Sequence, residues 1–161
     1  MAGFRGMARG YTLLELIVVL VIMSTALAVV LPRLASRLSA SRLSAFASDL
    51  SALAAMARQR AVQEERDWVV SVVLEPPFLS LAPAGEARAA EARRPPEGVR
   101  VAWAETLGRR VEGRVLTLRF HPDGTATPAR LRLVSGPEAD LVLEVQGAQG
   151  AVRARDREQG V

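Results

Sequence analysis

The chain has 161 residues, half of them hydrophobic, with a formal net charge of +4 and no cysteine. This length suits one globular domain with an appendage and is too short for two full domains. The absence of cysteine excludes a disulfide framework and a thiolate metal site. The positive charge is weak support for nucleic-acid binding, because 17 acidic residues are interspersed among 21 basic ones.

The first predicted element is a long apolar helix. From Leu13 to Leu31 the chain is apolar except for Glu15, Ser24 and Thr25. At about 1.5 Å per residue this segment is roughly 28 Å long, close to the ~30 Å hydrocarbon thickness of a bilayer. Residues 11–32 are therefore predicted to be a single-pass transmembrane helix.

The flanks of this segment predict its orientation. Arg5 and Arg9 precede it, so the positive-inside rule places the N-terminus in the cytoplasm and the chain after Pro32 outside the inner membrane, in the periplasm. A secretory signal peptide would have a shorter apolar core that ends in a small-x-small cleavage site. The sequence that follows here is Pro-Arg-Leu, which favours a membrane anchor over a removable signal peptide.

A short motif precedes the apolar run. The sequence "ARGYTLLE" combines Gly10, the aromatic residue Tyr11, the run Thr12-Leu13-Leu14 and Glu15. It resembles the type III signal of type IV pilins and type II secretion pseudopilins. The resemblance implies that residues 1–10 are a leader, which prepilin peptidase removes by cutting between Gly10 and Tyr11, and that Tyr11 is N-methylated. The competing interpretation is an uncleaved signal anchor with a stray glutamate.

Glu15 is the charged residue within the apolar segment. A carboxylate at the centre of a membrane helix costs about 2.5 to 3.5 kcal/mol, and less near an end, so such a residue is functional by default. The resemblance implies that Glu15 pairs with the α-amino group of Tyr11 in the neighbouring subunit. Opposite charges in a helix bundle favour both charged forms and select one register of assembly.

Pro32 ends the apolar stretch, and a kink or local melting is expected there. In pilins a proline at this place gives the filament flexibility, although Pro32 could equally mark the membrane exit. Residues 33–66 are predicted to form the amphipathic half of the same helix, because apolar residues recur every three to five positions. These are Leu34, Leu38, Leu43, Phe46, Leu50, Leu53, Ala57 and Ala61.

Residues 67–161 are predicted to form a β-rich globular domain. Short β-branched runs, several alternating with period two, are separated by Gly- and Pro-containing turns. The predicted strands are Trp68 to Glu75, Phe78 to Pro83, Val99 to Ala104, Arg114 to His121, Ala129 to Ser135, Leu141 to Gln146 and Ala151 to Arg155. This pattern predicts an α+β fold: the long helix packs on an antiparallel β-sandwich or curved sheet. The segment Ala82 to Pro96 is predicted to be a mobile loop.

The block "LRFHPDGTATPARLRLVSG" narrows the resemblance. A strand ending in Phe120, the turn His121-Pro122-Asp123-Gly124 and a second strand of the form LRL resemble the C-terminal domain of the GspH/FimT family of minor pilins and pseudopilins. Pro122 presets φ and Gly124 permits a positive φ, so the block is predicted to be a β-hairpin.

The sequence offers little for catalysis. His121 is the single histidine and lies in a turn, where a hydrogen-bonded structural role is expected. No triad, calcium loop, zinc spacing or phosphate loop is found, so neither an enzyme nor a cofactor or metal site is predicted.

A set of arginines suggests a second function. Arg153, Arg155 and Arg157 recur with period two, and Arg130 and Arg132 could join their face. Minor pilins of DNA-uptake pili resemble this chain in having an Arg-bearing tail, which implies weak, salt-dependent contact with DNA. The structural alternative is a charged edge strand that discourages aggregation.

The resemblance implies a structural subunit of a type II secretion pseudopilus or a type IV pilus, acting in initiation or near the tip. The alternative is a DNA-binding minor pilin of a natural-transformation pilus. The expected partners are other pilins through helix packing, prepilin peptidase, the inner-membrane assembly platform and, before assembly, membrane lipid. DNA is the partner in the alternative.

Overall fold

The computed structural model describes residues 12–137 and 139–155. The chain separates into two compact units, one ending at Ala35 and the other beginning at Ser36. Within the described residues there are one helix, α1 (Leu13–Glu64), and nine strands. The strands are β1 (Trp68–Leu74), β2 (Pro77–Pro83), β3 (Glu91–Arg93), β4 (Val99–Thr106), β5 (Arg109–Arg110), β6 (Val115–Phe120), β7 (Ala129–Ser135), β8 (Ala139–Val145) and β9 (Val152–Arg155).

Helix α1 is not interrupted at Pro32. Of the two alternatives expected there, local melting is wrong, because helical backbone continues on both sides of this residue. The other alternative, a kink, stays a prediction. Proline removes one hydrogen bond from a helix, but the bonds of the turns before and after it can hold the segment helical.

The C-terminal half of α1 buries one stripe of side chains. Leu43, Phe46, Leu50 and Leu53, with the small residues Ala54, Ala57 and Ala61, are all buried in the core. The predicted stripe therefore exists, which confirms the helix packing on the β-rich part of the chain.

The predicted stripe begins too early in the sequence. Leu34 and Leu38 follow the same periodicity, yet both are 52% exposed. Periodicity marks one face of a helix, but burial also needs a facing surface, and the buried core begins at Leu43.

The strands form two antiparallel sheets. The first has the order β3-β2-β1-β6 and the second the order β5-β4-β7-β8-β9. Alternate residues of each sheet face one shared core with the helix, and the positions between them face outward. In β7, for example, Leu131 and Leu133 are buried while Arg130 is exposed. The α+β prediction is confirmed.

All seven predicted strands are present, with ends within two residues of those expected. The two short strands β3 and β5 were not predicted. Residues 82–96 are not one continuous loop, because the segment begins in β2 and contains β3, which pairs with residues 79–81 of β2. The composition of this segment predicted a loop, but the ladder to β2 makes its middle a strand.

The predicted hairpin at Phe120 to Gly136 is also wrong in its pairing. The turn itself forms: Gly124 has a φ of +83°, and the Gly124 N–H donates to the His121 carbonyl at 2.9 Å. A single bridge joins Phe120 to Ala126, after which the chain leaves the first sheet. Strand β6 pairs with β1, and β7 pairs with β4 and β8 in the second sheet.

Candidate functional site

The first turn of α1 is capped by Thr12. Its hydroxyl Oγ1 accepts a hydrogen bond from the Glu15 backbone N–H at 3.2 Å, and its carbonyl accepts one from Leu16 N–H at 3.2 Å. Helices leave their first backbone donors unpaired, so a threonine here satisfies one of them. The sequence signal for this cap is the T-x-x-E spacing of Thr12 and Glu15.

Glu15 lies in this first turn and is exposed to solvent in the single chain. The N-terminal end of a helix carries a partial positive charge, which favours a carboxylate at this position. The position of Glu15 thus suits a helix start, and its pairing with Tyr11 of a neighbouring subunit stays a prediction. Gly10 and Tyr11 lie outside the described residues, and so does Arg157.

The helix surface beyond Glu15 is apolar. The large side chains from Leu13 to Met23 are each 45% or more exposed, and Leu13 reaches 77%. The polar side chains of this stretch are satisfied within the helix: Ser24 Oγ donates to the Leu20 carbonyl at 2.7 Å, and Thr25 Oγ1 donates to the Val21 carbonyl at 2.8 Å. Apart from the Glu15 carboxylate, this segment therefore has few polar groups that could form hydrogen bonds with water.

Within residues 12–137 and 139–155, no helix meets the requirements of length and apolar character for crossing a membrane. The membrane span predicted for residues 11–32 stays a prediction.

The second sheet brings the predicted arginines together. In its cross-strand register Arg130 lies opposite Glu144, and Glu144 lies opposite Arg153. In the neighbouring row Arg132 lies opposite Val142, which lies opposite Arg155. Directly opposed residues share a face, and Leu131 and Leu143, which lie between the paired rows, are buried in the core, so these four arginines lie on the outer face. We call this surface the arginine face.

Carboxylates on the same face neutralise part of its charge. Glu144 lies 3.4 Å from Arg130 and 3.1 Å from Arg155, measured between nitrogen and oxygen. Arg132 binds Asp140 through both Nε and NH2, and this hydrogen-bonded pairing raises the pKa of its guanidinium. Arg130, Arg132 and Arg155 are thus engaged by acidic neighbours. Arg153 and Arg155 both lie on the edge strand β9, and both are exposed.

His121 is held in a structural cluster, as expected. Its Nδ1 lies 3.0 Å from Asp67 Oδ1, and Arg119 NH1 donates to the other oxygen of Asp67 at 3.0 Å. These contacts lower the pKa of the Asp67 carboxyl, with the Arg119 hydrogen bond as the largest cause. These contacts connect Asp67, which precedes β1, to the C-terminal end of β6. Among the described residues no group of three or more acidic or histidine side chains could hold a metal ion.

Comparison with known proteins finds a match to the N-terminal segment and a similarity to the fold. A family model described as the prokaryotic N-terminal methylation motif matches residues 5–31. The fold is similar to two crystal structures of the type IV minor pilin FimU of Pseudomonas aeruginosa strain PAO1. One is 20% identical, with 68% of this chain and 90% of that chain covered and a TM-score of 0.49. The other is 18% identical, with 68% and 85% covered and a TM-score of 0.50.

No curated protein matches the sequence at a significant level. The N-terminal motif and the fold nevertheless point the same way, because the motif runs into the first part of α1 and the fold is similar to that of a type IV minor pilin. In motif and in fold, the chain is therefore type IV pilin-like.

Proposed function

We propose that the chain is a minor pilin or pseudopilin, a structural subunit of a type II secretion pseudopilus or type IV pilus. Prepilin peptidase cuts between Gly10 and Tyr11 and methylates the new terminus at Tyr11. Residues 11–32 hold the subunit in the inner membrane, with the β-rich part in the periplasm, until it enters the filament. The subunit acts in initiation or near the tip.

The observation that carries this proposal is the apolar surface of α1 from Leu13 to Met23. Large contiguous apolar surfaces on a protein mark a contact with lipid or with other proteins, because exposing them to water is unfavourable. A helix that is apolar all round suits lipid first and a bundle of similar helices afterwards. The membrane stage rests on the sequence of residues 11–32 and on Arg5 and Arg9 before them.

Glu15 supports an assembled state over permanent residence in lipid. Its carboxylate sits at the start of the helix, four residues after Tyr11 in sequence. In a helix bundle, the Tyr11 α-amino group of a neighbouring subunit would be an opposite charge that lowers the cost of burying this carboxylate. The pairing also fixes the stagger between neighbouring helices.

The geometry favours a structural role over a catalytic one. His121 is engaged by Asp67, and the carboxylates of the arginine face are bound to arginines. Assembly needs packing surfaces, a processed terminus and Glu15, and each of these is specified by the sequence.

The experiment is intact-mass measurement of the protein recovered from membranes of cells that express the full chain, with and without prepilin peptidase. A chain that starts at methylated Tyr11 only when the peptidase is present supports the proposal. A chain that starts at Met1 in both cells contradicts it and favours an uncleaved anchor. Deleting the gene in its own bacterium then distinguishes the two machines: loss of secreted proteins indicates a pseudopilus, and loss of surface fibres indicates a pilus.

The second candidate is a DNA-binding minor pilin of a DNA-uptake pilus. Its support is the sheet register, which puts Arg130, Arg132, Arg153 and Arg155 on one face. Against it, Asp140 and Glu144 lie among these arginines and would face the phosphates. We expect any DNA binding to be weak and to fall steeply with salt.

A gel shift of the full chain in detergent tests this candidate. The variant combines Arg153→Glu, Arg155→Glu and Arg157→Glu, and Arg88→Glu on an exposed loop is the control. Weaker binding and a smaller salt slope in the triple variant, but not in the control, would support DNA contact. Unchanged affinity and salt slope would exclude the tail as a DNA site.

A further inference from the structure

A row of charged side chains crosses the whole second sheet with alternating sign. The register places Arg110 of β5 opposite Glu105 of β4, and Glu105 opposite Arg130 of β7. Arg130 lies opposite Glu144 of β8, and Glu144 lies opposite Arg153 of β9. We call this row the charge ladder. Opposite charges on directly opposed residues stabilise a sheet, and like charges destabilise it.

The charge ladder ends at an open edge. Within residues 12–137 and 139–155, β9 has a strand neighbour on one side alone, which is β8. The Gln146 N–H donates to the Ala151 carbonyl at 2.9 Å, next to the first paired residues of β8 and β9. Because hydrogen-bonded pairs alternate along an antiparallel ladder, Arg153 and Arg155 bond to β8, whereas Val152 and Ala154 turn their N–H and C=O groups outward.

We propose that β9 is a docking edge for an extended acidic segment of a partner protein. The segment adds to the second sheet as a sixth strand, by bonding to the outward N–H and C=O groups of Val152 and Ala154. A carboxylate of the segment lies opposite Arg153 and continues the alternation of the charge ladder. A second carboxylate two residues away lies opposite Arg155. The inference concerns this edge alone and holds whichever filament the chain enters.

The charges of the β9 edge favour an acidic peptide strand over a second copy of the chain and over DNA. If a second copy of the chain paired its β9 with this one, centred on Arg153 or Ala154, arginine would lie opposite arginine. DNA could contact the arginines, but its backbone lacks the N–H and C=O groups that add a strand, and it would meet Glu144 and Asp140 on the same face. A peptide strand with alternating carboxylates meets both requirements.

The test uses the full, isotope-labelled chain in detergent micelles and two blocked peptides. One is Thr-Val-Glu-Val-Glu-Val-Thr, and its matched control has lysine in place of both glutamates. We expect the glutamate peptide to slow amide hydrogen exchange at Ala154 by about tenfold or more at saturation, because the outward N–H becomes hydrogen-bonded. The effect should weaken as salt is raised, and the lysine peptide should have no effect.

Two variants test the Arg153 charge and the outward Ala154 N–H, and a third is the control. Arg153→Glu should lose the glutamate peptide and gain the lysine peptide, because it reverses the last charge of the ladder. It also puts like charges opposite each other at Glu144, so protection of the Arg155 amide must show that β9 still pairs with β8. Ala154→Pro should lose binding without weakening the ladder to β8, because it removes an outward N–H. Arg88→Glu makes the same charge change on an exposed loop before β3 and should bind normally. Unchanged spectra of the core residues show that each variant is folded.

Several results would overturn the proposal. One is glutamate-peptide binding that Arg153→Glu and Ala154→Pro leave unaltered. Another is an Ala154 amide that is already protected without peptide, which would show that the chain covers its own edge. A third is a duplex DNA that shifts the β9 amides when the glutamate peptide does not, which would make the edge a nucleic-acid surface.

Discussion

The Arg93 guanidinium of β3 lies 2.8 Å from the Asp49 carboxylate of α1, between NH1 and Oδ1. A second ion pair, Arg60 with Glu91 at 3.9 Å, joins the other end of β3 to the same helix. The charged residues of this segment, which resembled a solvated loop in sequence, thus fasten a short strand over the helix. Ala90 N–H also donates to the Leu81 carbonyl at 2.8 Å at the start of this strand.

Arg93→Ala should release β3 with little effect on the rest of the fold. Half-exposed ion pairs contribute about 0.2 to 1 kcal/mol, so the free energy of unfolding should fall by no more than this. Hydrogen exchange at the Ala90 amide should become faster, because its bond to Leu81 depends on the strand. Exchange at Ala90 can be followed by NMR of the full chain in detergent, with Arg88→Ala as the control. Equal exchange in the two variants would show that β3 is held by its ladder to β2 alone.

Leu50→Ala should be strongly destabilising, and Leu38→Ala should not. Both leucines belong to the same helical stripe, but Leu50 is fully buried and Leu38 is 52% exposed. A buried leucine truncated to alanine costs about 2 to 5 kcal/mol, through lost burial and a residual cavity. Urea unfolding of the full chain in detergent, followed by tryptophan fluorescence, gives both values. Similar losses in the two variants would contradict the assigned start of the core.

Asp67 should contribute to the loss of folding stability at acidic pH. Its pKa lies below the ordinary value of 3.8, because Arg119 and then His121 stabilise the carboxylate. The stabilisation is therefore present above about pH 3.8 and is lost as the pH falls through the lower folded-state pKa. In Asp67→Asn the free energy of unfolding should fall less steeply with acid in this range.

The matched variant for this prediction is Arg119→Gln, which removes the largest cause of the shift and should flatten the same pH profile. Asp123, whose pKa is also lowered, by hydrogen bonds from Thr125, remains in every variant and leaves a residual slope. Profiles of equal slope for the wild-type chain and Asp67→Asn would show that the Asp67 contacts do not form in solution.

Variants of Thr12 and Glu15 distinguish a role in helix capping from a role in filament assembly. Thr12→Ala removes the side-chain acceptor for the Glu15 N–H and should cost the helix start about 1 kcal/mol. We expect this variant still to enter filaments, because the charge of Glu15 is kept. Glu15→Gln keeps the side-chain size and should be cleaved normally but excluded from filaments, because a neutral amide can accept a hydrogen bond from the Tyr11 amine but cannot form an ion pair with it.

The measurement is the amount of each variant in sheared filament fractions relative to the amount in membranes. Processing is checked by intact mass, so that a cleavage defect is not mistaken for an assembly defect. Normal incorporation of Glu15→Gln would refute the charge pairing. Loss of both variants to the same extent would assign the role of Glu15 to helix stability.

The strands themselves were predictable, because alternation with period two is a local property of a half-buried strand. Strand β7 shows this: Arg130 and Leu131 alternate in the sequence as they do between solvent and core. The partners of each strand were not predictable. Residues 121–128 connect Phe120 to Ala129 and begin with a tight turn, which predicts a hairpin between the two strands. Strands β6 and β7 nevertheless lie in different sheets. Which sheet receives a strand depends on core packing across distant segments.

The sequence by itself determined the N-terminal methylation motif, the apolar helix with Glu15, the order of the seven longer strands and the absence of cysteine chemistry. These depend on residues adjacent in the chain or on helical and strand periodicity. Only the tertiary structure decided that burial begins at Leu43, that β3 forms, and that four arginines and their carboxylates share one face. The physical reason is that burial and cross-strand register are set by surfaces brought together from distant parts of the sequence.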